Sequence, residues 1–100
     1  MVYNKLVRDK IPEIIKRSGG RPKIHIADDK EYWVELKEKL REETNEFLAT
    51  EDPEEFADIL EVLDAMFAHL GLTEKYVKTL QAKKAKERGG FKKRIILEEA

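Results

Sequence analysis

Apolar residues recur along most of the chain at the three- and four-residue spacing of amphipathic helices, and proline, glycine and capping residues punctuate the pattern. The first helix predicted is short: "IPEIIKR", residues 11–17, with Asp9 placed to cap it, Pro12 in its first turn and Ser18-Gly19-Gly20 ending it. "RPKIHIA" then reads as extended, with Ile24 and Ile26 alternating after Pro22. Asp28 with Glu31 three residues later forms a capping box and predicts a long helix from about 29 to 49, with Trp33, Leu36, Leu40 and Phe47 on its apolar face. Asp52 as N-cap, Pro53 at N1 and Glu55 as a capping-box glutamate predict a third helix running to about Leu70, before Gly71. Its stripe of Phe56, Ile59, Leu60, Leu63, Phe67 and Leu70 reads as core packing. Thr73 caps a fourth helix with Tyr76, Val77 and Leu80 inside, which turns basic before Gly89-Gly90. The run "RIIL" reads as a short strand, with residues 94–97 a candidate partner for 24–26.

With no repeat and no low-complexity linker, residues 1–100 are expected to form one domain. The predicted fold is all-α: an antiparallel helical hairpin core of about four helices. A chain of 100 residues buries a modest core, so a bundle completed by oligomerisation, a homodimer or homotetramer, is expected.

The net charge of −1 conceals a segregation. Glu42 to Leu72 holds ten Asp/Glu and no Lys or Arg, whereas Lys83 to Arg94 holds seven Lys/Arg and one acid, Glu87. One half suits cations, the other anions. The absence of cysteine excludes disulfides, thiolate metal ligands and a cysteine nucleophile. No apolar run approaches membrane-spanning length, and a soluble cytoplasmic protein is the expectation.

The acidic half can be placed on its helices. In the series Trp33, Leu36, Leu40, Phe47 the vacant place is position 43, so a glutamate stands where the pattern calls for a hydrophobe. Glu46 lies about 60° from Glu43 on the flank of the same stripe, and Glu42 about 100° away on the wetter side. A hairpin turning near residues 50–51 sets Glu46 opposite Glu55 and Glu43 opposite Asp58. Four carboxylates then converge, a costly arrangement unless a cation compensates it. Oxygen-only ligands point to Mg²⁺ or Mn²⁺. Glu51 and Glu54 read instead as solvated residues of the turn and helix start, and neither His25 nor His69 as a metal ligand. Trp33 reads as packing or a subunit contact.

Glu42-Glu43-Thr44-Asn45-Glu46 followed by Glu55-Phe56-Ala57-Asp58 resembles the E-E-x-x-E and E-x-x-D motifs of the MazG-like all-α nucleoside triphosphate pyrophosphohydrolases. The opening "YNKLVRDKIPEII" and closing "KKAKERGGFKKRIIL" are similar to a small, predicted house-cleaning branch of that superfamily. The spacing departs from the family's, because the gap from Glu46 to Glu55 is short and Glu61 with Asp64 forms a second E-x-x-D. The resemblance implies Mg²⁺-dependent hydrolysis of a nucleoside triphosphate between its α- and β-phosphates. Glu43, Glu46, Glu55 and Asp58 would be the metal ligands, and Glu43 or Glu46 would orient or deprotonate the attacking water. It also favours a role for Lys5 and Arg8 in reaching the triphosphate or the base, beside the bland reading of that segment as surface. Arg88, Lys92 and Arg94, around Gly89-Gly90, are candidate phosphate contacts, although a helix C-terminus ending in cations and glycine accounts for each of them singly.

Two alternatives stand beside this. A phosphoribosyl-ATP pyrophosphohydrolase would cleave the same bond. A non-enzymatic helical module binding nucleic acid through "KKAKERGGFKKR" accounts for the cations, but the neighbouring acids would repel the same backbone.

Overall fold

Side-chain capping sets where two of the helices begin. In the computed structural model, which describes residues 4–100, α1 spans Ile11–Arg17, α2 Asp29–Thr50, α3 Glu54–His69 and α4 Glu74–Arg88. The fold is therefore all-α, and Tyr3, where the N-terminal resemblance starts, lies outside the described residues. Asp28 Oδ1 accepts the Glu31 N–H at 2.8 Å, and Thr73 Oγ1 accepts the Tyr76 N–H at 3.0 Å. Each satisfies a backbone donor that the first helical turn leaves free.

The turn between α2 and α3 fixes the register on which the acidic residues depend. Glu51 adopts the left-handed conformation (φ 53°), its N–H bonding the Phe47 carbonyl at 2.7 Å. Asp52 then accepts the Glu54 N–H on Oδ1 at 2.9 Å and the Glu55 N–H on its carbonyl at 3.0 Å. α2 and α3 consequently run antiparallel and are the one pair of described helices that packs extensively. Phe47 lies 4.2 Å from Phe56 between ring centroids, and Trp33 stacks on His69 at 5.2 Å near the opposite end. Both pairs fall within two residues of the pairing expected from the turn.

Several expectations change. Asp9 does not cap α1: Lys10 occupies the cap position in a helical conformation, with no side-chain cap bond, because residues 8–11 close a turn through Ile11 N–H to Arg8 O at 3.0 Å. Glu55 makes no capping box, since its carboxylate turns inward and the Asp52 N–H goes to Thr50 Oγ1 instead. No strand forms among the described residues, so residues 24–26 and 94–97 do not pair. The fifteen residues of α4 carry the tail roughly 22 Å beyond the start of that helix. Both segments stay exposed, and Arg94 has a positive φ of 56° that breaks an extended run.

The apolar stripe of α3 is the largest departure. The line of α3 that meets α2 carries Glu55, Asp58, Val62, Ala65 and His69, with Val62 buried. At 100° per residue the stripe of Phe56, Leu60, Leu63 and Phe67 lies about 100–160° to one side of Val62. Phe56, Leu60 and Leu70 are exposed, and Ile59, Leu63 and Phe67 only half-buried. On α2 the expectation holds: Leu36 is 2% exposed and Glu43 7%, with Trp33, Leu40 and Phe47 half-buried around them. The radius of gyration, 17.9 Å, exceeds the roughly 13 Å of a compact chain of this length, because α4 extends away from the hairpin.

Replacing Asp52 by alanine removes the side-chain acceptor at the start of α3. The expected loss is about 1 kcal/mol of unfolding free energy, read as a lower urea midpoint with an unchanged denaturant slope.

Candidate metal centre

The hairpin register brings Glu43 of α2 together with Glu55 and Asp58 of α3, one carboxylate oxygen from each lying within 4.8 Å of the others. Glu43 is the buried charged residue at this point, and its Oε2 has no hydrogen-bond partner. Glu55 Oε2 is likewise enclosed and unpartnered. Orphaned carboxylate oxygens directed into one small volume are costly on their own, and a hard cation taking oxygen ligands would satisfy them. The donor set therefore fits a divalent ion of the Mg²⁺ or Mn²⁺ kind. Glu61 and Asp64, the other E-x-x-D, are not part of this trio; both are exposed.

Glu46 stands at the rim. It is exposed, and its charge helps to raise the pKa of both Glu43 and Glu55. Burial, followed by Glu46 and Asp58, pushes the Glu55 pKa up to about 7. Burial is also the main reason that the Glu43 pKa rises, with Glu46 and Asp58 adding to it and Lys39 opposing. The electrostatics are those of a site short of positive charge.

Part of that shortage is met from outside the acidic half. Arg8 Nη2 donates to Asp58 Oδ1 at 2.7 Å, and Lys5 Nζ to Glu42 Oε1 at 3.1 Å. Lys39 reaches Glu42 at 3.5 Å and Glu43 at 3.7 Å. Glu42, expected on the wetter side, is half-buried. Burial alone would raise its pKa, but Lys5 and Lys39 outweigh it and the value falls below the ordinary 4.5. Lys39 is a member of the site that the sequence pattern did not single out. Its signal was present in the i,i+4 spacing to Glu43, one turn before the cation-free stretch that begins at Glu42.

The segment Leu6–Asp9 crosses α2 and α3 beside the acids and closes a cavity of about 230 Å³ with Tyr32, Leu36, Lys39, Glu43, Asp58, Glu61, Val62 and Ala65. Its lining mixes apolar and charged side chains. Arg88, Lys92 and Arg94 do not line it; all three are exposed at the end of α4 and beyond. Nor do the histidines. His25 pairs with Glu31 at 2.9 Å, and His69 packs against Tyr32 and Trp33.

A protein from Mycolicibacterium smegmatis, described as an uncharacterized protein, is 50% identical over 46 residues, or 46% of this chain and 47% of its own length. The matched part thus spans about half of that relative. No family model and no solved structure matches the chain.

The raised carboxylates fix the sign of a pH effect. Glu55 binds its proton more tightly folded than unfolded, so the stability of metal-free protein falls as pH rises from 4.5 to about 7 and stays low above that. Glu43 acts in the same direction, whereas Glu42, with its lowered pKa, acts only below the ordinary 4.5. In chelator, the thermal midpoint should be higher near pH ~5 than near ~8, and Glu55→Gln should remove most of the difference. An equally steep slope in that variant would contradict the assignment.

Proposed function

We propose that the hairpin is a divalent-cation site for hydrolysing a nucleoside triphosphate between its α- and β-phosphates, giving the monophosphate and pyrophosphate. The observation that carries this reading is the buried Glu43 carboxylate, its Oε2 without a partner, grouped with Glu55 and Asp58 beside a cavity rimmed by cations. Glu43, Glu55 and Asp58 would hold Mg²⁺ or Mn²⁺, with Glu46 adjoining. Bound there, the ion would withdraw charge from phosphate oxygens and make a nearby water more acidic.

The chain's own groups divide the remaining work. Arg8 is paired with Asp58 and Lys5 with Glu42, both pairs largely exposed and so of small net energy. A triphosphate entering the cavity offers the same cations more negative charge, so Arg8 and Lys5 turn to phosphate oxygens as the carboxylates turn to the metal. Lys39 holds Glu42 and Glu43 in place. Glu46, solvent-accessible and beside the acidic trio, is the group suited to accept the proton of the attacking water, with Glu43 the other candidate. One water is consumed, one P–O bond between the α- and β-phosphates breaks, and pyrophosphate leaves. A protein nucleophile is not needed.

Cleavage of phosphoribosyl-ATP would use the same groups and belongs to the same reading. No helix among the described residues is long and apolar enough to cross a membrane, and the proposed substrate class places the protein's work in the cytoplasm.

Glu43→Gln keeps the shape of the side chain but removes its negative charge. Pyrophosphate release from a panel of ordinary, deoxy and damaged triphosphates with Mg²⁺ or Mn²⁺ should fall by at least the ~10–100-fold that losing an outer partner of a metal costs. Thermal stability without metal should be unchanged or higher, because a buried repulsion is relieved. Either metal should raise the melting temperature of the wild type but not of the variant. Undiminished release by Glu43→Gln, or none by the wild type on any triphosphate, would remove the basis for this function.

A further inference from the structure

The cavity beside the acidic trio has two unlike ends. Glu43 and Asp58 stand at one and Tyr32 and Ala65 at the other, with Leu36, Glu61 and Val62 between them. From Asp58 to Ala65 its α3 wall advances about 10 Å. The Tyr32 ring at the far end is held by the edge of His69, the ring centroids lying 5.5 Å apart.

Size and charge decide which part of a nucleotide this space suits. Its volume of about 230 Å³ is below the roughly 300–1,000 Å³ of pockets that enclose a whole small-molecule ligand. A complete nucleoside triphosphate does not fit inside. The phosphates are also the part that the interior repels. Carboxylates of Asp9, Glu43, Asp58 and Glu61 line it against the cations of Arg8 and Lys39, and Lys39 is already engaged by Glu42 and Glu43. A bound ion would offset Glu43 and Asp58. It would leave Asp9 and Glu61, whose side chains have no hydrogen-bond or ion-pair partner among the described residues. On the proposed function, the polyphosphate then stays at the mouth, between Arg8 and the more distant Lys5, which is not part of the lining. The uncharged sugar and base are left for the interior.

We infer that Glu61 binds the ribose 2′-hydroxyl of the substrate and makes the site selective for ribonucleoside over deoxyribonucleoside triphosphates, a reading that rests on the proposed hydrolase function and narrows it. Position selects the sugar. Glu61 follows Asp58 by about 4.5 Å along α3, on the same side of the helix. The ribose hydroxyls likewise stand only a few bonds beyond the α-phosphorus. The base lies farther on, toward Tyr32, whose ring offers it a stacking surface. Chemistry selects the hydroxyls. A carboxylate accepts hydrogen bonds on two oxygens, and the vicinal 2′- and 3′-hydroxyls of ribose present a donor to each. Deoxyribose lacks one of them. Without such a donor, Glu61 only adds negative charge beside Asp58, its neighbour on the helix surface, in a site already short of cations.

The test compares kcat/KM for pyrophosphate release from each ribonucleoside triphosphate of the panel with that from its 2′-deoxy counterpart. The wild type should favour ribose by at least ~10-fold whatever the base, the scale of a hydrogen bond to a charged group. Glu61→Ala should abolish the preference. Asp64→Ala removes an equal charge from an exposed position on the same helix, outside the cavity, and should leave the preference in place. Release without a preference for ribose, or with one that survives Glu61→Ala, would overturn the inference while the hydrolase reading stands. A preference that follows the base instead of the sugar would overturn it too. No release from any triphosphate would be the failure of the hydrolase reading itself, and this inference would fall with it.

Discussion

Three carboxylates occupy the line where α2 meets α3, a place that helical hairpins usually give to leucine and alanine. Glu43, Glu55 and Asp58 cannot all be ionised there without compensation, and the pKa directions of Glu43 and Glu55 express that conflict. Much of the surrounding structure answers it. The short turn at Glu51 and Asp52 fixes the register that forces the acids together, and the N-terminal segment brings Arg8 and Lys5 across to them. Lys39 supplies charge from one turn earlier in α2.

The same constraint explains where the hydrophobic residues went. With acids on the line of contact, the apolar stripe of α3 is rotated to one side, and only Val62 there is buried. The stripe then serves a surface rather than the hairpin interior. A site made of polar groups and a face made of apolar ones are thus two consequences of one choice of which side of α3 meets α2.

This is also why the sequence was legible in some places and not in others. Caps are local, and Asp28 and Thr73 act as their spacing predicts. The turn is local as well, so opposing Glu43 to Asp58 needed only helix geometry and a short loop. The direction in which α3 presents its stripe is not local. Periodicity shows that Phe56, Leu60 and Phe67 share a face, but whether that face meets α2 or lies open depends on the crossing of two helices. Glu55 failed as a cap because its carboxylate is drawn into the acidic cluster, and Asp9 because residues 8–11 close a turn ahead of α1. The paired strands failed because they needed two distant segments to meet, with a fifteen-residue helix leading one away.

The counter-ions carry the functional argument furthest. A buried acidic cluster serving only as structure would gain most from permanent, enclosed cation partners, since removing one partner of a buried pair costs several kcal/mol. Lys39 is enclosed in this way, but the other two cations are of the opposite kind. Arg8 and Lys5 are half-exposed, on a segment outside the helices, and they engage Asp58 and Glu42 while leaving the enclosed oxygens of Glu43 and Glu55 without partners. Cations held so weakly can be exchanged, and oxygens left so bare gain from an ion small enough to reach them. On the proposed function, an incoming magnesium–triphosphate complex would bring both the ion for the carboxylates and the anion for the displaced cations, and exchange at this site would be close to balanced in charge.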